Sequence, residues 1–174
     1  MSDPDILKVN DEIARRFAMI EANLALCQSA VELFERLLTD LKESFGIPFV
    51  WLTLIRSPET KPLLKAIEAS ELLRDHLNRL SPEVFQEILP DPSKPLLVSG
   101  DLRPFFRMLP PARKFFIRSL AVSPLMLRGH LIGSLNHGDA SPTRYEPGLD
   151  TTLIEHLSRR VSVRLDECLP GFFS

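Results

Sequence analysis

Between Asp5 and Phe45 the chain contains neither glycine nor proline, and Gly46-Ile47-Pro48 ends the run. Inside it the apolar residues form two columns. One holds Ile6, Ile13, Ile20, Cys27, Phe34 and Leu41; the other holds Asn10, Phe17, Leu24, Val31, Leu38 and Phe45. Columns offset by three and four residues are the a/d seam of a coiled coil, so the sequence predicts helix over about 4–45. Ser2 or Asp3 can cap its start, with Pro4 at the first helical position. Ser29 with Glu32 three residues on reads as a capping box and marks an optional kink near residue 28. Such a seam on a lone helix would expose a continuous apolar stripe. The expectation is therefore a homodimer through Ile6, Asn10, Ile13, Phe17, Ile20 and Leu24, joined by Ile154 and Val161 of the last helix. Asn10 paired with its mate would set a parallel register.

The period then changes. From Ile47 to Arg56, Phe49, Trp51, Thr53 and Ile55 lie on one face, with Val50, Leu52 and Leu54 on the other. Both faces are apolar, which predicts a central strand covered on both sides. After the Ser57-Pro58-Glu59-Thr60 turn, helices are expected over 66–79 and over 82–89, the second capped by Ser81 ahead of Pro82. Pro90, Pro92 and Pro95 forbid regular structure between them. A short strand at 96–98 and an irregular loop over 101–116, with a helical turn near 111–114, follow. Strands at 117–126 and 131–138 flank a hairpin turn in which Gly129 supplies a positive φ. The last helix, 148–168, carries Ile154, Leu157, Val161, Leu165 and Cys168 on one stripe. Short antiparallel strands between terminal helices indicate an α+β fold.

Composition narrows the function classes. With 21 basic and 23 acidic residues the net charge is −2, which argues against a dedicated nucleic-acid partner. Two cysteines exclude a disulfide framework and a Cys-rich zinc site. The first residues are acidic where a signal peptide would be basic, and no apolar run approaches the ~20 residues of a membrane span. A cytoplasmic location is expected, with any output domain on a separate effector polypeptide. His76, His130, His137 and His156 never fall at metal-ligand spacing, so no metal is expected. The Gly-x-Ser-x-Gly elbow and a glycine-rich phosphate loop are absent. The neighbours Asn136 and His137 point to opposite faces of a strand, which prevents them from acting as one acid–base cluster. The residues identify no cofactor and no catalytic group.

The run Ile117-Arg-Ser-Leu-Ala-Val-Ser-Pro-Leu125, the hairpin, Leu131-Ile-Gly-Ser-Leu-Asn136, then Arg144-Tyr145 and a closing helix resembles the C-terminal half of a GAF domain. The helix leading into Phe45-Gly46-Ile47-Pro48 and an apolar strand resembles its beginning. With the heptad helix ahead of it, the pattern is most similar to a bacterial family of GAF-related proteins preceded by a long helix. The resemblance implies a central antiparallel sheet of five to six strands. N- and C-terminal helices would cover one face, and middle helices and loops would enclose a pocket on the other. The units would be an N-terminal helix, 1–29, the GAF-like domain, 30–169, and a tail, 170–174. The Asn-Lys…Phe…Asp-Glu series of cyclic-nucleotide-binding members is missing. Neither cysteine lies in the middle loops, where bilin-attaching and sulfoxide-reducing members carry theirs.

One segment stands out in charge. Residues 102–138 hold no acid and six bases, Arg103, Arg107, Arg113, Lys114, Arg118 and Arg128, together with Phe105, Phe106, Phe115 and Phe116. Arginine forks among aromatics can hold a carboxylate or phosphate; a solvated basic face is the plainer reading. Ser119 and Ala121 on one strand, with Ser134 and Asn136 on the next, offer a small polar surface for a ligand or for a bulky helix. The expected ligand site is therefore Trp51, Arg103, Phe105, Phe106, Arg107, Arg118, Ser119, Ala121, Ser134 and Asn136, with a small anionic ligand. An inward arginine demands a counter-ion, and Asp101 and Asp139, which bracket the segment, are its internal alternatives. The leading expectation is a non-catalytic homodimeric sensing module. A scaffold without ligand and a small enzyme are the other two readings.

Overall fold

The computed structural model describes residues 4–169, with side chains from residue 11 onward. Helix α1, Pro4–Leu26, stops at Cys27-Gln28, and α2, Ala30–Phe45, starts from Ser29. The break has its cause in the capping box: Ser29 Oγ accepts from Glu32 N at 3.1 Å, and Glu32 reaches back to Gln28 N at 3.3 Å. Gly46, at φ 60°, closes α2 in the left-handed conformation that glycine adopts without penalty. Next come β1, Phe49–Ile55; α3, Lys61–Glu68; α4, Glu71–Arg74; β2, Leu77–Leu80; α5, Pro82–Ile88; and β3, Leu96–Ser99. A 3-10 turn at Arg103–Phe105, strands β4, Ser119–Leu127, and β5, His130–Asp139, and helix α6, Thr152–Cys168, complete the chain.

The five strands form one sheet in the order β2-β1-β5-β4-β3. Four of them pair antiparallel, but β2 runs parallel to β1, with Leu52 opposite Leu77 and Ile55 opposite Leu80. The sheet is therefore mixed. The helix expected over 66–79 is replaced by α3, the short α4 and β2, because the crossover returns residues 77–80 to the free edge of β1. There Leu52 N donates to His76 O and Arg56 N to Leu80 O. The hairpin turns on Arg128 and Gly129, both at positive φ (53° and 79°), as a type I′ turn requires.

Helices α1, α2 and α6 cover one face. Ile20, Leu24, Leu33, Phe34, Leu37 and Leu41 meet Val50, Leu52, Leu54, Leu125 and Leu135 of the sheet and Leu157, Val161 and Leu165 of α6. This is the fate of most of the predicted dimer seam. Ile20, Leu24 and Val161 are 1%, 2% and 0% exposed inside the chain's own core, and Phe17 packs on Phe45 with ring centroids 4.7 Å apart. Ile13 and Ile154 are half-buried, while the side chains of Ile6 and Asn10 lie outside the described residues. The heptad is physically real, but its partner is α6 and the sheet. On the opposite face α5 and the 102–117 segment enclose a second core of Trp51, Phe85, Met108, Leu109, Ile117, Leu120 and Val122.

A bulge decides which residues share a face. From the hairpin, Leu127 pairs with His130 and Met126 with Leu131, but Leu125 pairs with Gly133, so β5 carries one extra residue at Ile132-Gly133. Ala121 then lies opposite His137, and Val122 opposite Asn136. Residues directly opposed share a face, so Ser119 and Ala121 look toward the helices while Ser134 and Asn136 look the other way. The single polar surface expected from these four residues is divided between two faces. A Cβ at Gly133 would stand 1.9 Å from Thr53 O, so the close approach of β5 to β1 requires glycine. Gly133→Ala should cost about 3 kcal/mol or more in denaturant unfolding, whereas Gly129→Ala, facing open space, should cost about 1–2 kcal/mol for its positive φ alone.

Candidate functional site

The middle of the loop-covered face is closed by its own polar groups. Ser134 Oγ donates to Asn136 Oδ1 at 2.8 Å, and Asn136 Nδ2 donates to Thr53 Oγ1 at 2.8 Å, all three residues being fully buried. Trp51 packs over Gly138, whose Cβ would lie 3.1 Å from the indole, and its Nε1 donates to Met108 O at 2.9 Å. Trp51, Ser134 and Asn136 therefore share the predicted face, but they are bonded to the protein.

The arginines of the expected site stand in solvent. Arg103 is held by Asp101 through two bonds, Nε to Oδ1 at 2.9 Å and Nη2 to Oδ2 at 2.8 Å. Those bonds hold the Asp101 carboxyl at about 2. Arg107 and Arg118 are exposed as well, so the predicted inward turn of a guanidinium is absent at all three positions. Phe105 and Phe106 are half-buried against the second core. Phe106 meets Phe115 edge-on, and Lys114 Nζ lies 5.3 Å and 5.2 Å from their ring centroids. Phe115 and Phe116 remain 76% and 63% exposed. Ser119, on the helix face, donates to Ser141 O at 2.7 Å. The other bracketing acid, Asp139, pairs with Arg144, which lies outside the basic segment.

Room for a ligand lies at the ends of this face. A cavity of about 780 Å³ is bounded by Ile55, Phe85, Leu89 and Leu131, with Ser57, Glu59, Thr60, Gln86 and His130 as its polar members. The Thr60 hydroxyl, donating to Ile55 O, ties the 57–60 turn against the end of β1. Ser81 caps α5 by accepting from Val84 N, and Pro90 and Pro92 carry the chain around the far wall. At the opposite end of β1, Lys42, Arg113, Asp75 and His76 surround a smaller cavity of about 340 Å³ beside Trp51. The turn and the cap are legible in the sequence as separate features. Nothing local signalled that they converge, because their convergence depends on β2.

The helix face holds a different feature. His137 is fully enclosed, its Nε2 has no hydrogen-bond partner among the described residues, and burial, aided by the Arg144 charge, lowers its pKa to about 4. Tyr145, buried beside it, is raised to about 12 by desolvation. Among the described residues no group of histidine, cysteine and acidic side chains could hold a metal ion, and no helix is long and apolar enough to cross a membrane. Both cysteines lie near the ends of α1 and α6, away from the loop-covered face. The Cys27 thiol is pushed up by burial and then by Glu32.

A five-stranded sheet covered by the terminal helices on one side and by α5, loops and a largely apolar cavity on the other defines an α+β domain with room for a small molecule. The chain belongs to the GAF domain family, whose pattern it matches over residues 29–165. The fold is similar to that of the free methionine-R-sulfoxide reductase from Neisseria meningitidis, solved in complex with its substrate. The two share 18% identity with a TM-score of 0.56, over 87% of each chain. No curated protein matches the sequence.

His137 generates a pH prediction. The unfolded state takes up a proton below about pH 6.5, while the folded state resists until about pH 4, so stability is lost as pH falls through that window. The full loss approaches roughly 3 kcal/mol. Urea unfolding at pH 7, 5.5 and 4 should show this decline, and His137→Leu should flatten it.

Proposed function

We propose that the chain is a non-catalytic, homodimeric sensing module of the GAF type, within the group that carries a long helix ahead of the domain. The observation that carries the reading is the 780 Å³ cavity, whose size and mostly apolar walls suit a metabolite-sized ligand. Its polar members include one carboxylate, Glu59, and neither lysine nor arginine. The ligand is therefore a neutral or amine-bearing molecule in place of the anion expected from the basic segment. Reduction of a sulfoxide, the reaction named for the similar reductase, consumes two electrons. The thiols of this chain sit on the other side of the sheet from the cavity, which supports sensing over catalysis. The dimer reading rests on Met19 and Leu26, 64% and 76% exposed on the outer side of α1, which a second copy would cover.

Thermal denaturation with neutral and amine-bearing metabolites tests the ligand. A compound at a hundredfold excess over its Kd should add ~2.7 kcal/mol, a rise of roughly 5–10 °C. Gln86→Trp, placed on the exposed rim, should abolish that rise without disturbing the core. If no compound shifts the transition, a scaffold without ligand is the better account. Light scattering should return twice the 19.7 kDa chain mass, and a monomer at micromolar concentration would remove the dimer from the reading.

A further inference from the structure

The bulge in β5 turns His137 toward the helices, and among the described residues it meets open space there. A cavity of about 610 Å³ lies between Ile13 and Phe17 of α1, Phe45 and Ile47 at the α2–β1 junction, and Tyr145, Leu153 and Ile154 of the segment entering α6. His137, Arg144, Asp150 and Thr152 supply its polar members, and it opens to solvent past the exposed Asp150 and Thr152. It is separated by the sheet from the 780 Å³ cavity, so the two sites are independent.

The guanidinium here is already paired, and the exposed carboxylate is hydrogen-bonded. Arg144 Nη1 donates to Asp139 Oδ2 at 2.8 Å, and Nη2 donates to Phe45 O at 2.9 Å. Asp150 Oδ1 accepts from the backbone N–H and the hydroxyl of Thr152, at 2.9 Å and 2.6 Å. Among the described residues the polar atom left over is His137 Nε2, enclosed at the cavity wall without a partner, so an occupant reaches it by turning the imidazole toward the cavity. A buried base in that condition carries the cost of lost hydration until something bonds to it. An anion would find Arg144 already committed to Asp139 and would meet the Asp150 carboxylate at the mouth. An uncharged hydroxyl can donate to a free imidazole nitrogen or accept from its N–H, and the guanidinium keeps N–H groups that its two bonds do not use. The aromatic rings of Phe17, Phe45 and Tyr145 supply walls suited to a planar ring.

We propose that this cavity is a second small-molecule site, taking an uncharged aromatic compound whose hydroxyl bonds His137 Nε2. Two of its walls belong to α1, so an occupant joins that helix to the sheet and its presence is transmitted through the position of α1.

The probe is p-cresol, followed by NMR on the full chain. Binding should shift the methyls of Ile13 and Ile154 and the imidazole nitrogens of His137, saturably. In His137→Leu, which removes the unpartnered nitrogen and keeps an apolar side chain, p-cresol should bind about tenfold more weakly, the loss of one hydrogen bond. Toluene, the same shape without the hydroxyl, should not weaken. Ile13→Trp fills the space from the half-buried side of α1 and should abolish both. The proposal is overturned if p-cresol at millimolar concentration shifts none of these signals, or shifts only Ile55 and Leu131 of the other cavity. Equal binding of p-cresol to the natural chain and to His137→Leu also overturns it.

Discussion

Strand β5 lies between β1 and β4 with both of its faces covered, so a polar side chain on it has no water to turn to and must find its partner within the protein. On the loop-covered face this condition is met: Asn136 receives from Ser134 and gives to Thr53, a chain closed across two strands. Trp51 completes the closure by bonding Met108 O, which anchors the 102–117 segment over the sheet. The centre of the face is therefore structural, and open space is displaced to the two ends of β1. On the helix face the same condition fails, among the described residues, at His137 Nε2, as it does at Ser123 Oγ on the neighbouring β4. The two faces of one strand thus have opposite character: one is satisfied by the fold, while the other retains bonding capacity beside a cavity.

That division depends on a single inserted residue. Without the bulge, a two-residue turn at Arg128-Gly129 would pair Ala121 with Asn136, and the small polar residues of β4 and β5 would form one surface, as the strand alternation alone predicts. With it, every residue of β5 beyond Gly133 changes side, and Ala121 faces the helices with His137. A bulge has little sequence signature beyond Gly133, whose missing Cβ admits Thr53 O, and that contact exists only once β1 and β5 are paired.

The legible parts of the fold were those fixed by local chemistry. Ser29 and Ser81 announced helix starts because their hydroxyls accept from the chain three residues on, and Gly129 announced the hairpin through its φ. The apolar alternation of Phe49–Ile55 announced a strand covered on both sides. The illegible parts depended on tertiary partners. Strand β2 is four residues long and half-polar, and it exists because β1 offers an unpaired edge to it. The heptad of α1 reported an apolar stripe correctly, but periodicity cannot tell a second copy from the chain's own α6. The basic segment likewise revealed its charge and not its direction. Asp101 occupies Arg103 outside the fold, and the two larger cavities are lined by residues the charge pattern did not mark, such as Phe85, Glu59, Gln86 and Phe17.

The central claim is that the middle of the loop-covered face is sealed, so that small molecules meet this domain at its margins. The side-chain amide of Asn136 reports on that seal directly, since its Nδ2 protons are fully buried and one is bonded to Thr53 Oγ1. Hydrogen exchange of this NH2 group, followed by NMR in the unliganded protein, should proceed no faster than the backbone amides of β1 and β5, through global opening of the domain. Exchange at the rate of a solvent-exposed asparagine would show that water reaches the centre of the face and would contradict the account.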